Sequence, residues 1–198
     1  MKADLQIAGR LERLEQSLRQ RLRQTIDITP PLMHAGVLIP LLLLEEDVQL
    51  LFTRRTETVL THKGQISFPG GQREAADVDV TQTALRESYE EIGLEPSRVR
   101  VIGELDDVFT SVSGFVITPV VGLVAGGMEY LHPAPDEVKS LFTVPVATLL
   151  QEKVHSSETR HFENQGYRIH YYTVGEDVIW GATGRIVYQF LQAWRDAA

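Results

Sequence analysis

The chain has 198 residues, 43% of them hydrophobic and 23% charged, with a formal net charge of -8 and no cysteine. A globular chain of this size buries roughly 70% of its unfolded surface, which excludes a disordered protein and one that depends on disulfides. The missing thiol also excludes a cysteine nucleophile and a cysteine-held zinc or iron–sulfur centre, and the negative balance argues against a nucleic-acid polymer as partner.

Residues 1–25 carry six Lys/Arg against three acids, and Ile7, Leu11, Leu14, Leu18 and Leu22 recur at helical spacing. This pattern predicts one amphipathic helix. Its basic face suits a membrane surface or a phosphate; the alternative is a helix packed on the domain or on a second copy of the chain, as in a homodimer. Charges throughout Met1 to Arg23 leave no signal peptide, and the acids among them argue against a mitochondrial presequence. The longest apolar run, Val37 to Leu44, is broken by Pro40 and is too short to span a membrane. A cytoplasmic protein with no membrane span is therefore expected. Thr29-Pro30-Pro31 divides an N-terminal helical extension, residues 1–29, from a main domain, residues 30–198.

In the main domain, Ala35 to Leu44 and Val48 to Thr53 read as strands around the polar turn Glu45-Glu46-Asp47. Gln65 to Phe68 reads as a short strand that stops at Pro69-Gly70-Gly71. Thr81 to Ile92 has helical spacing and ends at Gly93, a suitable C-cap. Val99 to Leu105, Phe115 to Val124, Val144 to Leu150 and Ile169 to Val174 read as further strands. Ile179 to Trp194 closes the chain as a helix with Ile186, Val187, Phe190, Leu191 and Trp194 on its buried stripe. Strands mixed with a few helices, without a βαβ rhythm, point to a mixed sheet between helices.

The chemistry concentrates in the helix after Gly70-Gly71. On a helical wheel Leu85, Ser88, Tyr89 and Ile92 fall on the inward face, and Glu87, Glu90 and Glu91 fall opposite. Carboxylates at i, i+3 and i+4 stand about 5–6 Å apart at Cβ and repel one another. The last two also lie in the final turn, where the helix dipole disfavours negative charge. A divalent cation removes both penalties, and such hard oxygen donors suit Mg²⁺ or Mn²⁺. Arg86 is placed to orient one of the carboxylates, and the paired glycines let backbone approach a ligand and offer a carbonyl to the same ion. The alternative is a solvated acidic face. The six histidines show no metal-ligand spacing.

Gly71 through Leu94, with its Arg86-Glu87-Ser88-Tyr89-Glu90-Glu91-Ile92-Gly93-Leu94, resembles the Nudix box. That pattern is Gly, five residues, Glu, seven residues, then Arg-Glu-aliphatic-any-Glu-Glu-any-Gly-aliphatic. Asp77 stands at the first Glu position, Ser88 replaces the aliphatic residue, and the loop to Arg86 is one residue longer. The longer loop is shared with the coenzyme A pyrophosphatase branch. The upstream run from Leu50-Leu51-Phe52-Thr53-Arg54-Arg55 to Gly64 and Phe68-Pro69-Gly70-Gly71 also looks like that branch, with Leu60 in place of its second arginine.

The resemblance implies a Nudix-type α/β/α sandwich with a mixed β-sheet between helices. It implies metal-dependent hydrolysis of the diphosphate of coenzyme A, or a derivative, to 3′,5′-ADP and 4′-phosphopantetheine. Carried over by position, Glu87, Glu90, Glu91 and the Gly70 carbonyl are metal ligands, while Glu87 alternatively positions the nucleophilic water. Nudix enzymes often draw the general base from a separate loop. Glu137 in the polar stretch His132 to Glu137 is that candidate, its alternative being an exposed loop acid. Arg55 and Lys63 are candidates for phosphate contact, with solvent-facing cations as the alternative, and Gly71 for close approach to the substrate. Two other readings stand beside this one. The same fold could act on ADP-ribose, a dinucleotide or a modified nucleoside triphosphate, or it could be a catalytically silent nucleotide-binding module.

Overall fold

The computed structural model describes residues 2–27, 29, 32–44, 47–56, 64–110, 114–162 and 165–198. Alternation inside the longest apolar run decides its architecture. Leu38 and Leu42 bury into one cluster, Ile39 and Leu41 into another on the opposite face. A strand buried on both faces must lie between two layers. This one, β1 (Met33–Leu44), is the centre of the sheet.

Strand β1 pairs antiparallel with β2 (Asp47–Arg55) and, further back along the same edge, with β4 (Gly70–Gln72). On its other side it runs parallel to β7 (Phe115–Val124). Strand β2 carries β3 (Ile66–Ser67) and β8 (Val138–Pro145), whereas β7 carries β5 (Val99–Glu104) and β6 (Val108–Thr110), all antiparallel. One parallel pair among antiparallel neighbours makes the sheet mixed, as the sequence pattern predicts. A separate antiparallel sheet has the order β11 (Asp177–Ile179), β10 (Gln165–Val174), β9 (His155–Phe162).

Helix α2 (Val80–Ile92) lies on the Leu38 face, where Ala84 and Ile92 join Leu42, Leu51 and Val120. The Ile39 face is covered by α1 (Lys2–Gln20) and α4 (Gly181–Asp196), which contribute Leu14, Leu18, Phe190 and Trp194. The result is an α/β/α sandwich with a mixed sheet between helices.

Two arginines of α1 reach the C-terminal end of α4. Arg10 Nη2 and Nε donate to the Trp194 carbonyl at 2.8 and 3.2 Å, and Arg13 Nε donates to the Ala197 carbonyl at 2.9 Å. These guanidinium groups supply positive charge and donors to the C-terminal end of α4, where both are favourable. Beyond α1, Arg21 pairs with Asp106 at 2.9 Å, and Arg23 pairs with Asp107 at 2.7 Å and Glu104 at 3.2 Å. The helix stops at Gln20, so Leu22, counted in its apolar stripe from the sequence, is 94% exposed.

Val144 to Leu150 is not one strand. Strand β8 ends at Pro145, and Val146–Leu149 turns as the short helix α3, with buried Val146 and Leu149 giving the segment its strand-like pattern. Similarly, Ile179 ends β11, and the final helix begins two residues later. Glu45, Glu46, Pro30 and Pro31, read as turn and boundary, lie outside the described residues. Among the described residues no helix is long and apolar enough to cross a membrane.

Candidate active site

Helix α2 is closed at both ends by local chemistry. The Asp79 carboxylate accepts from the Gln82 backbone N–H at 2.8 Å as N-cap. At the other end Gly93 takes the left-handed conformation, φ 66°, and its N–H reaches the Tyr89 carbonyl at 2.9 Å. Ser88, which sits where an aliphatic residue is expected, is buried and donates its hydroxyl to the Ala84 carbonyl at 2.6 Å.

The helix is rotated from the orientation read off the wheel. Ala84, Ser88 and Glu91, at i, i+4 and i+7, form the stripe against the sheet, so Glu91 is 5% exposed. Tyr89, one residue past the centre of that stripe, swings to 50% exposure and is not an inward residue. The three glutamates thus occupy graded environments: Glu91 buried, Glu87 half-buried, Glu90 exposed.

Arg86 organises the outer two. Its Nη1 donates to Glu87 Oε1 at 2.9 Å and to Glu90 Oε2 at 3.0 Å, which offsets the repulsion expected along the helix. Arg86 is itself held by Asp77, with Nε to Oδ1 and Nη2 to Oδ2 both at 3.0 Å, and by the Gln72 carbonyl at 3.1 Å. Asp77 is buried and also accepts from Thr83 Oγ1 and from the Glu74 N–H, each at 2.9 Å. This fork holds the Asp77 carboxyl well below the usual range and raises Arg86 further. Sequence reasoning assigned Asp77 no role at the site; the available signal was its place at the motif's first Glu position. A side chain one methylene shorter than Glu, in a loop one residue longer, makes a two-pronged contact with Arg86.

The buried member is held differently. Glu91 Oε2 accepts from the Gly70 N–H at 3.1 Å, and Oε1 accepts from Arg55 Nη1 at 3.3 Å. Burial outweighs both contacts and pushes the Glu91 carboxyl up to about 7. Burial also raises Glu87, against the pull of Arg86. The exposed Glu137 adds its charge to the upward push on both Glu87 and Glu91, so its loop faces the cluster. That loop is tied to the site from both sides, by the Ala134 N–H on the Glu91 carbonyl at 2.8 Å and the Thr56 N–H on the Glu137 carbonyl at 3.0 Å. Gly71 has a steric role, because a Cβ there would lie 2.5 Å from Glu87 Cδ. A larger residue there would push the Glu87 carboxylate out of its present position.

The structure therefore brings Gly70, Gly71, Arg55, Arg86, Glu87, Glu90 and Glu91 together, with Glu137 at the rim, whereas Lys63 and Leu60 lie outside the described residues. The Gly70 carbonyl was the sequence candidate for a ligand, yet its N–H makes the observed contact. In donor chemistry the site fits a hard divalent ion: three carboxylates on one helix, two of them raised by burial, beside a glycine strand without side chains. Among the described residues no three His, Asp or Glu groups converge as a ligand set, and guanidinium groups hold the carboxylate oxygens.

The profile of the NUDIX domain matches residues 33–165. The uncharacterized Nudix hydrolase NudL of Photorhabdus laumondii is 36% identical over 159 residues, covering 80% of this chain and 83% of that protein. Its namesake in Pectobacterium atrosepticum is 36% identical over 156 residues, covering 79% of this chain and 80% of its own length. Among solved structures, a MutT/nudix family protein from Enterococcus faecalis superposes with a TM-score of 0.58 at 17% identity, over 93% of this chain and 69% of that one. A C. elegans Ap4A hydrolase complex gives 0.51 at 13% identity, over 59% and 82%, a likeness of fold. Since the matched segment holds the central strand, the glycine turn and the acidic helix together, the chain belongs to the Nudix family of hydrolases.

Proposed function

We propose that this Nudix hydrolase cleaves the diphosphate of coenzyme A or an acyl derivative, giving 3′,5′-ADP and (acyl-)4′-phosphopantetheine. The observation that carries the reading is the contact between Arg55 and Glu91. It joins the upstream run that resembles the coenzyme A branch to the acidic helix shared by the whole family.

Nudix enzymes generally use divalent metals, and Glu87, Glu90 and Glu91 would hold Mg²⁺ or Mn²⁺ here. A bound ion neutralises charge on the diphosphate oxygens and lowers the pKa of water. The chain's own residues do the rest. Arg86, fixed by Asp77, keeps Glu87 and Glu90 aimed at the site. Gly71 lets the substrate approach the carboxylates without a side chain between them. Arg55 supplies a guanidinium to a phosphate oxygen. Glu137, on the loop facing the cluster, takes the proton of the attacking water as a P–O bond of the diphosphate breaks.

A panel of coenzyme A, ADP-ribose, a dinucleotide and nucleoside triphosphates, each with Mg²⁺ or Mn²⁺ and with products separated, tests the substrate. Coenzyme A is expected to turn over fastest. Preferential hydrolysis of another member replaces it as substrate, in keeping with Leu60 at the second arginine position. Glu90→Gln and Glu91→Gln should each lower kcat by at least about 10²-fold, since a metal-borne charge term is worth several kcal/mol. Near-normal rates in both variants would overturn the ligand assignment.

A further inference from the structure

Arg54 and Arg55 end the same strand and have parted company. Arg54 turns to Asp177 of the outer sheet and lies over the Phe142 ring, 5.6 Å from its centroid. The pairing of β2 with β8 slips between these two residues. Such a bulge re-aims a side chain, and here Arg55 is directed to the buried carboxylate of α2.

Its hold on that carboxylate is of an unusual kind. Arginine and a carboxylate normally meet as a two-pronged fork with short bonds. Here one prong, Nη1, touches one oxygen at 3.3 Å. The other oxygen is already engaged by the Gly70 N–H. Arg55 Nε is buried and has no acceptor among the described residues. An unpaired buried donor is costly, and the Arg55 side chain as a whole is 25% exposed, so part of it is open to another partner. Glu91 is thus held by a cation through a single long contact, at one of the oxygens a divalent ion would use.

We propose that Arg55 is a positioning residue that competes with the divalent cation for Glu91. Arrival of the cation frees the guanidinium to hold a phosphate oxygen of the substrate, so each binding step prepares the other. The inference rests on the metal-site reading above and adds to it an order: the arginine is the resident cation, and the metal displaces it. Arginine suits this exchange because its planar donors fit a carboxylate and a phosphate alike.

The test is Mn²⁺ binding to the purified protein, followed by the loss of the free-ion electron paramagnetic resonance signal, in wild type, Arg55→Gln and Arg55→Lys. Removing one positive charge a few ångströms from a divalent ion should tighten Mn²⁺ binding by about tenfold in Arg55→Gln. Arg55→Lys, which keeps the charge, should stay within about threefold of wild type. In turnover, the Mn²⁺ concentration for half-maximal rate should fall in Arg55→Gln while KM for the diphosphate substrate rises. A merely structural arginine would worsen both constants. Unchanged or weaker Mn²⁺ binding in a folded Arg55→Gln protein, or equal tightening in Arg55→Lys, overturns the competition and leaves the metal site standing. If wild type binds no Mn²⁺ that Glu91→Gln abolishes, the metal site itself is wrong and the competition falls with it.

Discussion

A carboxylate that accepts four hydrogen bonds from three residues has little freedom to move, and Asp77 is such a group. It never reaches the acidic face, yet it fixes the guanidinium that aligns Glu87 and Glu90. Replacing Asp77 with Asn leaves Arg86 facing a neutral partner in a mostly buried setting. Breaking a fully buried pair costs about 3–5 kcal/mol, and the partial exposure of Arg86 lowers the expected loss to about 2–3 kcal/mol, read from urea unfolding. A stability within about 0.5 kcal/mol of wild type would show that Arg86 is held by its other partners. The motif offset marked the position of Asp77, but its geometry depends on Thr83 and the turn at Glu74, which spacing does not reveal. The grading of the three glutamates was likewise hidden. A wheel gives relative angles only, and the absolute rotation of α2 is set by how closely Ala84 and Ser88 approach the sheet.

Elements with strong internal periodicity were legible in the sequence, and those shaped by their neighbours were not. Strand β7 has the bounds its pattern predicts, and the buried stripe of α4 is the expected one. Strand β9 is polar up to its last residue, Phe162, as an edge strand of an outer sheet can be, and its sequence gave no alternation to detect. Helix α1 was visible as a helix, but its partners were not. Because Leu14 is fully buried between β5 and α4, Leu14→Ala should destabilise the protein by about 2–5 kcal/mol, measured by thermal or urea unfolding. A loss below about 1 kcal/mol would mean that the helix contributes little to the fold. Strand β10 meets α4 through a ring stack, in which His170 lies 3.9 Å from Tyr188 by centroid and shares a 3.0 Å hydrogen bond with His155. His170 is 1% exposed, and burial lowers it from 6.5 to about 4, with the neighbouring His155 and arginines acting in the same direction. A histidine depressed on folding favours the native state above its unfolded pKa, and that contribution is lost as pH falls from 6.5 through about 4. The stability gap between wild type and His170→Phe should therefore change over that pH window. A constant gap would show that His170 does not carry the dependence.

At the scale of the whole molecule, the net charge of -8 sits oddly with a family that handles phosphates. The arrangement of cations resolves this. Several arginines of the N-terminal stretch are spent inside the fold, on the end of α4 and on Glu104, Asp106 and Asp107, while Arg55 and Arg86 stand at the acidic helix. Positive charge is placed locally rather than spread over a surface, so substrate capture should depend more on individual arginines than on long-range steering. The seating of α1 has a temporal consequence. Arg10 and Arg13 dock on carbonyls of residues 194 and 197, so α1 is synthesised well before the helix that seats it. Until then Leu14 and Leu18 have no α4 to cover them, and closure of the Ile39 face waits on contacts between residues 184 apart in sequence. Nascent chains stalled before Gly181 should be cut readily by protease within α1, and released chains in which α4 is complete should resist.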